Sequence, residues 1–109
     1  MDKPDNMSAM GFFQFDLRAG TIKTVEAVPK SKKLLKLEVD FGTFGTRTIL
    51  SGIAGALVVE GQRVVAILNL EPRTMMGLES RGMILASTDE SGAIWLVNPG
   101  PVPDGAEIG

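Results

Sequence analysis

The residues whose chemistry stands out first are four lysines within a stretch of seven residues: Lys30, Lys32, Lys33 and Lys36. They concentrate positive charge on a chain whose formal net charge is −2. Lysine ammonium groups neutralise phosphates, and each neutralised phosphate adds a salt-dependent increment to nucleic-acid binding. The cluster therefore indicates a phosphate-binding surface. The alternative is a solvated turn that binds nothing.

Three polar residues lie near glycines or inside apolar runs and are further candidates for ligand contacts: Ser51, Asn69 and Ser80. Asn69 interrupts an apolar run, and a buried amide needs partners for both its donor and its acceptor. It either pins a loop or faces a groove and reads a base edge. The spacing favours the loop-pinning interpretation.

The residue types that most enzymes use are missing, since the chain has no cysteine and no histidine. Their absence excludes disulfides, thiolate nucleophiles and the commonest metal ligands. The acidic residues show no recognisable metal-ligand spacing. An enzyme could still use carboxylate, lysine or serine side chains, but the usual hydrolase and transferase sites cannot be assembled from this chain. We therefore expect a binding protein with no catalytic residue and no metal.

The sequence pattern predicts that the elements that position these residues are mostly strands. Apolar and polar residues alternate from Phe13, with a phase slip at Ala19-Gly20 that predicts a bend, and they alternate again over 35–41. A glycine turn then predicts a hairpin with a third strand over 47–50. Further strands are expected over 63–70, 82–87 and 93–97. Ser51 could cap one or two helical turns between strands three and four.

These intervals predict an all-β fold, an OB-type five-stranded barrel with a short helix between strands three and four and an extra C-terminal strand. The Pro- and Gly-rich tail is expected to lie across the barrel. Arg73 falls in the loop after strand four, one of two loops that such barrels use for ligands; alternatively it is an ordinary surface arginine. Phe44 could stack on a base, and most other aromatic side chains are expected in the core.

Five segments follow one another in the order of a known family: DLRAGTI (16–22), KKLLKLEVDFG (32–42), ILSGIAG (49–55), NLEPRTMMGLESRGMILA (69–86) and VPDGAEIG (102–109). Together they resemble the tRNA-binding OB-fold domain family. That family includes the C-terminal domain of many bacterial methionyl-tRNA synthetases, free-standing tRNA-binding proteins and CsaA-type secretion chaperones.

The resemblance implies a non-catalytic homodimer that binds tRNA, needs no cofactor and has an aminoacyl-tRNA synthetase as a possible partner. The RNA-facing positions of the family correspond here to Lys30, Lys32, Lys33, Arg47, Ser51, Asn69, Arg73 and Ser80. The chain departs from the family in two places. The family's histidine before strand two is replaced by a lysine-rich turn, and Glu71 stands where many members have lysine.

A CsaA-type chaperone that binds unfolded preproteins or peptides is the alternative function. The ending VPDGAEIG suits that subgroup, and Met75, Met76, Leu78 and Met83 could form an adaptable apolar surface. The segments SGIAG and GMILA instead look like those of tRNA-binding members.

The chain is expected to comprise a flexible N-terminal segment over 1–11 and a single domain over 12–109. No stretch is long and apolar enough to span a bilayer. The first ten residues lack the apolar core of a secretory signal, so a cytoplasmic location without membrane partners is expected.

Overall fold

The computed structural model describes residues 2–109. Its nine strands are β1 (Leu17–Ala27), β2 (Leu35–Asp40), β3 (Thr46–Ser51), β4 (Arg63–Ile67), β5 (Arg73–Met75), β6 (Leu78–Ser80), β7 (Met83–Ile84), β8 (Ala86–Thr88) and β9 (Ile94–Leu96). Two 3-10 helices cover Ala9–Gln14 and Gly42–Phe44. None of the helices within residues 2–109 is long and apolar enough to cross a membrane.

The main sheet is an antiparallel barrel with strand order β3-β2-β1-β4-β7. Its remaining gap is bridged where β3 meets the last residue of β6 and the residue that follows it. The Arg81 amide donates to the Thr48 carbonyl at 2.9 Å, and the Leu50 amide donates to the Ser80 hydroxyl at 2.9 Å. The predicted all-β, five-stranded barrel is confirmed.

The first strand bends so that it pairs on both sides. Residues 17–21 pair with β4 and residues 21–27 pair with β2, with a register shift between Ile22 and Thr24. The sequence predicts a bend at Gly20, but this glycine has another role, which is to leave space for a neighbouring side chain. A Cβ atom on Gly20 would lie 2.6 Å from the Phe41 ring, so only glycine lets that ring close the barrel interior.

The barrel interior is filled by the side chains that alternate inward along β1 to β4. Ile22, Leu37, Val39, Ile49 and Val64 are fully buried. Their burial removes apolar surface from water, which is the dominant stabilising contribution in a domain of this size. The polar residues between them face outward and are available for other roles.

The C-terminal tail completes the barrel beside the first half of β1. The Ala19 amide donates to the Ala106 carbonyl at 2.9 Å, and the Ala19 carbonyl accepts from Gly105 at 2.8 Å. The Ile108 amide donates to Leu17 at 2.9 Å. These bonds cover an edge that β1 would otherwise leave unpaired, and they confirm that the tail lies across the barrel.

The helix predicted after Ser51 is absent from residues 51–62. Ser51 is the last residue of β3, and the chain continues in a turn at Ala54-Gly55. The Ala54 amide donates to the Lys33 carbonyl at 3.0 Å, which ties this loop to the β1–β2 loop, and the Ala56 amide donates to the Ile53 carbonyl at 2.8 Å in a single turn. The prediction was wrong because two glycines weaken a short helix and a tertiary partner takes its amide.

The start predicted for the first strand was also wrong. The Ser8 hydroxyl accepts from the Met10 amide and caps a 3-10 helix that runs to Gln14, and β1 begins only at Leu17. Aromatic residues expected in the core are exposed in consequence: Phe12, Phe13 and Phe15, the second by 65%. Trp95 on β9 is likewise exposed, by 60%.

The region after β4 is more regular than the predicted loop. Residues 73–80 form the β5–β6 hairpin, whose tip is Met76-Gly77 with φ of 52° and 79°. The fifth predicted strand is divided into β7, which pairs with β4, and β8. The extra C-terminal strand is confirmed as β9, which pairs with β8.

Candidate nucleic-acid interface

A groove lies on the outside of the barrel where β3 meets the β5–β6 hairpin and β7. Its apolar lining comes from Leu50, Leu70, Met75, Met83 and Ile84. Leu50 and Ile84 are buried and form the floor, whereas Met83 is 45% exposed. The groove therefore offers a ligand an apolar contact surface.

Polar groups surround this apolar lining. Ser51, Glu71 and Arg73 also line the groove. Glu71 and Arg73 are exposed, and Ser51 is half-buried at the end of β3. Among residues 2–109, neither Glu71 nor Arg73 has an ion-pair partner. Both charges are therefore available to a ligand.

The three lysines of the β1–β2 loop, Lys30, Lys32 and Lys33, form what we call the lysine turn. All three are exposed, and Lys30 adopts a left-handed conformation with φ of 67°. The Ser31 hydroxyl accepts from the amides of Lys33 and Leu34 at 3.3 and 3.1 Å, which holds the loop in a compact shape. Within the described part of the chain, none of the three ammonium groups has an ion-pair partner.

The lysine turn and the groove are neighbours because β2 and β3 pair over their full lengths. Leu35, which follows the turn, is opposite Ser51, and Lys36 is opposite Leu50. Directly opposite residues of an antiparallel pair project from the same face, so Lys36 emerges beside the groove. Its Nζ lies 3.9 Å from Glu26, a half-exposed pair that holds it only weakly.

Two predicted contact residues hold the protein's own backbone. Arg47 donates to the Leu68 carbonyl at 2.6 Å. The Asn69 side chain accepts from the Asp16 amide at 2.8 Å and donates to the Gln14 carbonyl at 2.8 Å. The loop-pinning interpretation of Asn69 is confirmed: its amide joins the end of β4 to the segment before β1.

Ser80 is the one buried polar residue of the described chain, with 3% of its surface exposed. Its hydroxyl accepts from the Leu50 amide at 2.9 Å and lies 3.4 Å from the Gly82 carbonyl, to which it donates. Both functions of the hydroxyl are thus used inside the protein. Ser80 shapes the wall of the groove and does not present a free hydroxyl to it.

Two arginines that are not among the predicted contact residues form the most connected polar cluster. Arg63 donates to the Thr21 hydroxyl at 2.8 Å, to the Asp104 carboxylate and to the Val102 carbonyl. Arg18 donates to Asp16 at 2.7 Å. We call the Arg18, Arg63 and Asp104 cluster the tail clamp. Arg18 and its partner Gly105 are 87 residues apart in the chain, so no local signal could have revealed the cluster.

Arg18 also binds the tail and an aromatic ring. Its guanidinium donates to the Gly105 carbonyl at 3.3 Å, lies 3.6 Å from the Glu107 carboxylate and sits 4.4 Å above the centre of the Phe44 ring. Phe44, expected as a possible base-stacking platform, thus already has a cation over one face.

The acidic side chains build no metal site in the part of the chain that the structure describes: nowhere do three or more of them converge. The pKa of Asp89 is lowered, chiefly by the hydrogen bond from the Ser91 hydroxyl and further by backbone amides of the β8–β9 turn. This carboxylate stabilises its own turn. It is fully exposed and is not among the residues that line the groove.

The family of the chain is shown by comparison with known proteins. Residues 17–107 match the family described as "Putative tRNA binding domain". This range contains the barrel, the lysine turn, the groove and almost the whole tail. The protein thus belongs to the tRNA-binding domain family.

Its curated relatives include much longer proteins. The methionine–tRNA ligase of Salinibacter ruber is 47% identical over 91 residues, which are 81% of this chain and 13% of that enzyme. The methionine–tRNA ligase of Archaeoglobus fulgidus is 40% identical over 111 residues, which are 99% of this chain and 17% of the enzyme. The chain thus spans less than a fifth of the length of these relatives.

Solved structures match this chain almost end to end. The MetRS-related protein from Pyrococcus horikoshii has a TM-score of 0.87 and 35% identity, and the match covers 96% of this chain and 99% of that one. The chaperone CsaA from Bacillus anthracis has a TM-score of 0.84 and 28% identity, covering 95% and 99%. The same barrel thus occurs in proteins named for two different activities.

Proposed function

We propose that this chain is a non-catalytic tRNA-binding protein that recognises structured RNA by its shape and backbone. The observation that carries the proposal is membership of the tRNA-binding domain family over residues 17–107, on a barrel whose lysine turn is exposed. Structured RNA is recognised mostly through shape and through phosphate and 2′-OH contacts. The cytoplasm, where tRNA is used, is the proposed place of action, and residues 12–109 are the proposed domain.

The predicted site residues divide into two proposed roles. Direct contacts are assigned to the exposed or half-exposed cations and hydroxyl: Lys30, Lys32, Lys33, Lys36, Arg73 and Ser51. A supporting role is assigned to Arg47, Asn69 and Ser80, because their side chains bond to the protein's own backbone. The supporting residues keep the strand ends and groove wall in the shape that the RNA meets.

The test is binding of bulk tRNA measured at increasing salt for the wild type and for the triple variant Lys30→Ala/Lys32→Ala/Lys33→Ala. Each lost phosphate contact reduces the slope of log affinity against log salt by about 0.7 to 0.9. We therefore expect a slope lower by about 2 and an affinity at least about tenfold weaker at low salt.

The matched control is Lys3→Ala/Lys23→Ala, which removes exposed lysines outside the turn. Its slope should stay close to that of the wild type. An unchanged slope in the triple variant would exclude the lysine turn as the phosphate-binding surface. Failure of the wild type to bind tRNA in preference to duplex DNA would overturn the function itself.

An aminoacyl-tRNA synthetase is the proposed protein partner, because methionine–tRNA ligases contain segments 40–47% identical to this chain. We further propose that the chain forms a homodimer. The exposed aromatics Phe12, Phe13 and Trp95 are apolar surface that a second copy could cover. Light scattering should give twice the monomer mass for the wild type, and Phe13→Ser should shift it toward the monomer; a monomeric wild type would exclude the homodimer.

A second candidate function is favoured by the likeness to the chaperone CsaA. In that case the apolar groove, with its methionines, would take unfolded polypeptide. The distinguishing measurement is competition between tRNA and a reduced, unfolded protein. Displacement of an unfolded chain by tRNA supports one shared surface, whereas binding of the unfolded chain alone supports the chaperone function.

A further inference from the structure

The groove contains a charge that a purely phosphate-binding surface would avoid. Glu71 lines it beside Arg73 and is exposed without an ion-pair partner in residues 2–109. A carboxylate near phosphates costs free energy through like-charge repulsion. Its presence at this position is therefore explained best by a ligand group that donates hydrogen bonds.

We propose that the groove takes one unpaired guanine of the RNA and that the Glu71 carboxylate reads it. This inference rests on the proposed function and names the base at that same site. Guanine presents two adjacent donors, N1–H and the N2 amino group, and an ionised carboxylate presents two acceptor oxygens. Charge-assisted bonds of this kind are about twice as strong as neutral ones.

The other bases fit this edge less well. Adenine and cytosine each present a single amino group beside a ring-nitrogen acceptor, which would face the carboxylate. Uracil presents one N–H between two carbonyl oxygens. Only guanine satisfies both carboxylate oxygens at once, and a site built for a bidentate pair rejects ligands that leave it unpaired.

The rest of the groove suits a flat base. Leu50 and Ile84 form an apolar floor, and Met75 supplies a polarizable wall. Arg73 can bind the phosphate that follows the base, since its guanidinium is not engaged by another side chain of the described structure. Sequence-specific RNA contacts are typically made to such unstacked bases, on their Watson–Crick edges.

The experiment measures fluorescence anisotropy of labelled pentaribonucleotides UUGUU, UUIUU, UUAUU, UUCUU and UUUUU at low salt. Inosine lacks only the N2 amino group of guanine. The wild type should prefer the guanine oligomer about tenfold over the others, inosine included. Glu71→Gln presents one acceptor oxygen instead of two, so the preference should fall to about twofold or less.

The matched control is Glu79→Gln, which removes the same charge from the adjacent β5–β6 hairpin, outside the groove lining. It should keep the guanine preference. Bulk tRNA is titrated in parallel, so that a protein that binds tRNA but shows no guanine preference overturns this inference alone. A preference that persists in Glu71→Gln also overturns it, as does binding of an unfolded polypeptide in the groove while no oligomer binds.

Discussion

The tail clamp and the lysine turn both contain positively charged side chains. Those of the clamp bond to the protein itself, whereas those of the turn are left to solvent. In the clamp, the Arg63 side chain is 24% exposed and its guanidinium bonds to three groups from β1 and the tail. In the turn, the three lysines are exposed and have no ion-pair partner within residues 2–109. A formal charge of −2 for the whole chain therefore says little about the charge that the surface around the lysine turn presents.

The difference has an energetic consequence. Breaking a half-buried, hydrogen-bonded ion pair leaves its partner desolvated and unpaired, which costs stability. An exposed lysine loses little when it is truncated, because water already solvates it. Stability and binding should therefore respond to different cations, and four substitutions test this separation.

The largest effect is expected for Arg63→Ala, which removes the centre of the tail clamp. Asp104 and Thr21 lose their guanidinium partner, so the free energy of unfolding should fall by about 2–3 kcal/mol in urea titrations. The tRNA affinity of the folded protein should stay within about twofold. Arg73→Ala is the opposite case and should change stability by no more than about 0.5 kcal/mol. Equal stability losses in Arg63→Ala and Arg73→Ala would contradict the separation between cations that stabilise the fold and cations that bind a ligand.

The next largest loss of stability is expected for Asn69, because its side chain bonds to the protein's own backbone although the residue is exposed. Asn69→Ala removes two hydrogen bonds to the segment before β1, so we expect a loss of about 1 kcal/mol and faster hydrogen exchange of the Asp16 amide. Gln14→Ala is the control, because Gln14 contributes only its backbone carbonyl. Unchanged exchange at Asp16 would show that this contact does not hold the segment.

A smaller effect, on binding alone, is expected for Arg73→Ala. Losing one phosphate contact should weaken tRNA binding about threefold to tenfold, uniformly across sequences, and lower the salt slope by about 1. Arg81→Ala removes an exposed arginine that does not line the groove, and its slope should match the wild type. If Arg81→Ala weakened binding equally, the groove would not be the site of the contact.

The smallest effect is expected for Asp89→Asn, which removes an exposed carboxylate instead of a cation. Asp89 is fully exposed, and its lowered pKa means that its ionised form is favoured in the folded state. Its contribution is therefore present above the ordinary value of 3.8 and is lost as the pH falls through the lowered pKa. Asp89→Asn should lower the Tm slightly at pH 7 and leave it unchanged at the acid end. A difference that grows on acidification would contradict this sign.

Local pattern predicted the elements whose residues alternate cleanly. The β2–β3 hairpin was expected from the alternation over 35–41 and the glycine turn, and both strands form there. A bend in β1 was expected from the phase slip at Ala19-Gly20, and the structure has it slightly further along, at the register shift between Ile22 and Thr24. In each case one face of the strand is buried, and burial imposes a period of two on the sequence.

The predictions failed where local and tertiary preferences differ. Phe13 and Phe15 alternate with polar residues like a strand, but Ser8 caps a 3-10 helix there and the rings remain outside. The β5–β6 hairpin was missed because its tip is Met76-Gly77, without the Asn or Asp that usually marks such turns. The groove wall supplied by Ser80 depends on a bond to Leu50, 30 residues away.

The sequence by itself determined the barrel, its family and the list of cations from which a phosphate-binding surface can be built. Only the tertiary structure decided which of those cations remain available. Arg63 is held by Asp104, 41 residues further along the chain, whereas the pairing of β2 with β3 brings Lys36 to the edge of the groove. The reason is physical: a residue's type sets its charge, but its partners and its exposure to water decide whether that charge stabilises the fold or binds a ligand.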